Sequence, residues 1–109
     1  MKHTILAIVL LLALTIFLVL SSCFVCTACR EMAIAAFQNA ALARAAFEKY
    51  EPALSLFVHN KLLEGAETAL FEYETAEYGS AEYYKAQNTF VFYCREMSED
   101  MSPSIDSVF

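Results

Sequence analysis

Hydrophobic positions in this chain follow two regimes. Residues 5–29 are 25 consecutive uncharged side chains, nearly all apolar, so a helix built from them has no polar face. Such a helix spans roughly 38 Å, against about 30 Å for the hydrocarbon core of a bilayer. Beyond that run the apolar residues fall into stripes. Met32, Ala36, Ala40, Ala43, Phe47 and Tyr50 recur at three- and four-residue steps, which is one face of a helix. Eight alanines within residues 33–46 add strong intrinsic helix preference. Leu54, Phe57, Val58 and Leu62 continue the face, with Pro52 at a kink or at the first turn of a new helix. Gly65 is the natural break. A second helix then follows Ala66, Ala69, Leu70, Tyr73, Ala76, Ser80, Tyr84, Gln87, Val91 and Cys94, with Gly79 an interior flaw costing about 1 kcal/mol relative to alanine.

The pattern predicts an all-α chain: an N-terminal transmembrane helix followed by a long antiparallel helical hairpin. Residues 1–4 form a head, 5–29 the anchor, 30–98 the hairpin turning near Gly65, and 99–109 a flexible tail. The two arms, 31–63 and 66–98, are equal in length at about 50 Å each. Two helices alone bury little surface, so a further partner is expected: another copy, another helical protein or the membrane surface.

Charge narrows the partners. All 13 acidic residues and six of the seven basic ones follow residue 29, giving that part a net charge of −7. Such a balance argues against nucleic acid and against anionic headgroups, both of which need a basic face. Membrane lipid around the anchor and helical proteins beside it remain. Lys2 and His3 flank the anchor on one side, Arg30 and Glu31 on the other, so the positive-inside signal is nearly balanced. The very short head favours an N-terminus in the cytoplasm and an acidic domain on the extracytoplasmic side.

The anchor has two competing readings. Leu20-Ser21-Ser22-Cys23 resembles the lipobox of bacterial lipoprotein precursors, which implies cleavage before Cys23 and acylation of that residue. The apolar run continues past Cys23, however, where a mature lipoprotein turns polar. An ordinary secretory signal, cleaved after Ser22 or Ala28, is the other.

Cys23, Cys26 and Cys29 make a C-x2-C-x2-C run, and Cys94 stands far downstream. The run lacks the fourth nearby cysteine of an iron–sulfur site and continues an apolar helix, so no metal or cofactor is expected. Cysteines at a membrane boundary are candidate acylation sites if they face a eukaryotic cytoplasm, and small apolar filler otherwise. A hairpin turning at Gly65 sets Cys94 opposite a residue near position 36, about 10 Å of helix from Cys29. A modest change of register would then close a Cys29–Cys94 disulfide.

Glu-Tyr-x-x-Ala occurs three times, at Tyr73, Tyr78 and Tyr83. A five-residue step advances 500° on a helix, so these tyrosines spiral and share no face. With Tyr84 they are candidate partner contacts, as are Ala36, Ala40, Ala43 and Phe47 on the first arm. The tyrosines in acidic surroundings also resemble those of transmembrane signalling adaptors, without the aliphatic residue of paired tyrosine motifs. Ser107-Val108-Phe109 resembles a C-terminal ligand of PDZ-type domains.

His3 and His59 are the only histidines, and neither has a nucleophile or carboxylate at catalytic spacing. The expectation is therefore a non-enzyme: a small single-pass membrane protein serving as a structural, accessory or assembly subunit. An envelope lipoprotein with an exclusion or immunity role competes, and a tyrosine-bearing adaptor comes third.

Overall fold

The computed structural model describes the backbone of residues 1–108, and the side chains of these except 18–23 and 101–108. Among the described residues the fold is built of four α-helices: α1 (Lys2–Gln38), α2 (Ala40–Leu54), α3 (Asn60–Thr75) and α4 (Ala81–Val108). The all-α expectation holds. The two-armed hairpin does not, because the chain reverses at Asn39, at residues 55–59 and at residues 76–80, and not at Gly65.

Asn39 divides the first arm. Its backbone is extended, its N–H donates to the Ala35 carbonyl, and its Oδ1 accepts from the Leu42 N–H at 2.8 Å. One residue thus ends α1 and caps α2, a position where asparagine is among the preferred residues. Pro52 lies within the last turn of α2, and residues 55–59 carry the chain into α3.

The two glycines exchange their expected roles. Gly65 sits inside α3, where an added Cβ would overlap the Tyr93 ring of α4. It is a close-approach glycine, not a turn. Gly79, with φ +79°, lies in the turn between α3 and α4, and Ser80 caps the next helix through a 3.1 Å bond from the Tyr83 N–H. The backbone of α4 remains helical to Val108, through the stretch expected as a flexible tail.

Successive helices run antiparallel, an up-down-up-down bundle. Phe24 meets Tyr50 and Phe57, so α2 descends along α1. Arg44 bonds Glu67 and Glu74, so α3 climbs beside α2. Gln87 reaches the Ala36 carbonyl and Ser98 reaches Cys26, so α4 closes the bundle against α1.

The core takes one stripe from each helix: Val25, Ala28, Cys29, Met32 and Ala36; Ala43, Phe47 and Leu54; Leu63, Ala66, Ala69, Leu70 and Tyr73; Tyr83, Ala86, Phe90, Cys94 and Met97. Steps of three and four residues recur throughout, as knobs-into-holes packing requires. Phe47 and Phe90 meet edge to face across the centre, with ring centroids 6.4 Å apart.

Candidate functional site

Three features stand out above ordinary packing: an apolar stem, a buried polar node and a groove lined by thiols.

The stem is the outer half of α1. Val9, Leu10, Leu11 and Leu12 point in four directions around the helix, and all are more than half exposed, Leu11 the most at 66%. Among the described residues nothing covers these four side chains on any side. The bundle begins to contact α1 at Phe17, whose ring lies 6.4 Å from that of Phe57 in the α2–α3 turn. The neighbouring Leu56 is 77% exposed, so a second apolar feature sits at the stem end of the bundle. Among the described residues no helix is long and apolar enough to cross a membrane, and residues 18–23 of the uncharged run lie outside that description. Cys23, the first of the three candidate acylation sites, is one of those residues.

The node lies where α1 stops. Breaking the helix at Asn39 leaves the Ala36 carbonyl without its usual intrahelical donor. Tyr73 of α3 donates to it at 2.7 Å, and the Gln87 amide of α4 donates at 2.9 Å. The Tyr73 hydroxyl also lies 3.2 Å from that of Tyr83, and their rings stack edge to face at 4.8 Å. Burial, then the neighbouring Tyr83 hydroxyl, push the Tyr73 pKa up to about 12. The node keeps its hydroxyl neutral and donating, a structural task.

These contacts revise the partner surface. Ala36, Ala43, Phe47, Tyr73 and Tyr83 are buried within the chain's own bundle, and Ala40 is partly so. The three-fold Glu-Tyr-x-x-Ala pattern straddles the α3–α4 turn, which sends Tyr73 and Tyr83 inward. Tyr78 at 83% exposure and Tyr84 at 50% stay on the surface.

Arg44 is the main electrostatic tie. Its guanidinium bonds Glu74 and, at 2.7 Å, Glu67, locking α2 to α3. The hydrogen bond it donates to Glu74 leads the effects that hold its pKa above the usual arginine range. Tyr50 donates to Glu31, and Lys49 lies 3.9 Å from the same carboxylate, joining α2 to α1.

The groove, about 410 Å³, runs between α1 and α4. Cys26, Cys29 and Cys94 line it as free thiols, with Arg30, Phe37 and Arg95 around them. Cys29 and Cys94 are buried and Cys26 is exposed. Burial, then the charge of Cys29, push the Cys94 thiol well above its ordinary range. Among the described residues no group of three histidine, cysteine or carboxylate side chains is placed to hold a metal. Every buried side-chain nitrogen and oxygen among them has a hydrogen-bond partner.

Sequence reasoning missed Asn39 and Arg44, and it placed Gln87 on a helix stripe without its role as a donor to the Ala36 carbonyl. Asparagine amid alanines was the available signal for the first, and a glycine followed by serine, Gly79-Ser80, for the other turn. Gln87 and Arg44 act through partners on helices that appear only once the chain is folded into four.

Comparison of this chain with known families, with curated proteins and with solved structures finds no match.

Proposed function

We propose that this is a single-pass membrane protein whose apolar stem holds an acidic four-helix bundle at the bilayer surface. It serves as a structural or assembly subunit through helix contacts, without catalysis. The supporting observation is the stem itself, exposed around its whole circumference at Val9, Leu10, Leu11 and Leu12. Water is a poor solvent for such a surface, at about 25 cal/mol per Å² of apolar area, and a bilayer is a good one.

Length agrees with this reading. Val25 is the first buried residue among those whose side chains are described, and residues 5–24, twenty helical positions, span about 30 Å, with Phe17 and Phe24 on the side that meets the bundle. The anchor is thereby shortened from the uncharged run of residues 5–29, because Val25, Ala28 and Cys29 belong to the bundle core. Leu56 and Phe57 sit in the headgroup layer, where apolar and aromatic side chains are favoured. Further along α1, exposed Ile34 and Phe37 offer a partner helix a contact continuous with the stem. The acidic bundle lies on the extracytoplasmic side.

Alkaline carbonate extraction of membranes carrying the full chain tests the reading. The protein is expected in the membrane pellet. Recovery in the supernatant overturns it. The competing lipoprotein reading rests on Leu20-Ser21-Ser22-Cys23 and is separated by the intact mass, which is 22 residues shorter plus lipid if the chain begins at Cys23.

A further inference from the structure

We infer that Cys29 and Cys94 form a reversible disulfide that staples α1 to α4, and that exposed Cys26 is the thiol through which it exchanges with small disulfides.

The register of the two helices carries the inference. Ala36 and Gln87 are a bonded pair across the α1–α4 interface, at 2.9 Å. Seven residues back along α1 is Cys29, and seven residues forward along α4 is Cys94. Seven residues are two helical turns, so the same directions recur, and the cysteines occupy the same rung as the bonded pair. The next rung is Cys26 with Ser98, whose Oγ lies 3.4 Å from the Cys26 sulfur. Cys29 is therefore opposed to Cys94 between two observed cross-helix contacts. Both thiols are buried on core stripes, both line the same groove, and each stands on a different helix, so a bond between them is a cross-brace.

Access decides the route. Cys26 is exposed in that groove, one helical turn from Cys29. Its thiolate attacks a low-molecular-weight disulfide, forming a mixed disulfide and releasing one small thiolate. The Cys29 thiolate attacks the Cys26 sulfur and expels the second small thiolate. The Cys94 thiolate then attacks the Cys29 sulfur, and Cys26 leaves as a thiolate. One small disulfide is reduced to two thiols, which take up the protons of Cys29 and Cys94, and Cys26 is regenerated.

The test uses the full chain in detergent micelles, oxidised glutathione as the probe, alkylation to quench, and mass mapping after unfolding. The expected product is a Cys29–Cys94 link, lighter by about two hydrogen masses, with Cys26 alkylated and Tm raised by roughly 10 °C or more. Cys26→Ala should give the same link at least about ten-fold more slowly. Cys94→Ala should lose the Tm rise and retain glutathione on Cys26 or link Cys26 to Cys29. Recovery of Cys29 and Cys94 both alkylated, or linked only between two chains, overturns the staple. Closure at the wild-type rate in Cys26→Ala overturns the exchange role. Mapping of the unsubstituted protein decides the first point even if the Cys94 variant does not fold.

Discussion

The outer and inner halves of α1 are both rich in apolar residues and both helical, yet they live in different surroundings. In the outer half, successive residues from Val9 to Leu12 are all exposed, whichever way they point. In the inner half, Val25, Ala28, Met32 and Ala36 are fully buried, while Arg30, Ile34 and Phe37 on the opposite side are not. The lesson concerns the difference between a uniform apolar surface and a striped one. A stripe is satisfied by three neighbouring helices of the same chain. A uniform surface is too wide for them, and on the function proposed above it lies in lipid.

The comparison can be broken hardest from the inner side. Met32→Ala should destabilise the bundle by about 2–5 kcal/mol, since it empties a fully buried site. Leu11→Ala should leave bundle stability in detergent within about 0.5 kcal/mol, because Leu11 touches no core. Denaturant unfolding of both variants measures the contrast, and equal effects would erase it.

From the outer side, Leu11→Arg should oppose membrane insertion by about 2.5–3.5 kcal/mol while the bundle stays folded. Carbonate extraction with circular dichroism on the same samples reads both quantities. Loss of the fold without loss of membrane association would reverse the assignment of the halves.

Smaller effects are expected where the inner half ends. Asn39→Ala removes the cap of α2 and should cost about 0.5–2 kcal/mol. Tyr73→Phe removes one of two donors to the Ala36 carbonyl and should cost about 1 kcal/mol. Titration sharpens the second variant. The Tyr73 hydroxyl keeps its proton to about pH 12 in the folded chain, against an ordinary tyrosine value of 10.0. Its contribution is therefore complete below pH 10 and is lost as the pH rises from 10 through 12. Tm followed across that window should fall less steeply in Tyr73→Phe than in the unsubstituted protein.

Helix content, the apolar stem and the Met32–Ala36–Ala43–Phe47 stripe are legible in the residues, because three-four periodicity and alanine preference act locally. The number of helices is not. Alanines on both sides of Asn39 favour helix so strongly that the break reads as a continuation, and its energy comes from Tyr73 and Gln87, distant in sequence. Gly65 and Gly79 show the same limit. A glycine signals either a turn or a close approach, and only the Tyr93 ring reveals which applies at Gly65. Reading through the turn at residues 76–80 also shifts the phase of the last helix. The core stripe is Tyr83, Ala86, Phe90, Cys94 and Met97, not the one through Tyr84, Gln87 and Val91. Cys94 falls on both stripes, so its inward position was readable from either phase. Its opposition to Cys29 arises from a register that a single hairpin at Gly65 does not produce.

The most direct test of an α1 shared between lipid and bundle is the intact mass, with N-terminal mapping, of the protein extracted from its own membrane. The account predicts that residues 2–22 remain joined to the bundle, in a chain of about the full 12.2 kDa. A chain that begins at Cys23 and carries added lipid would contradict it, since the outer half of α1 would then be absent from the mature protein.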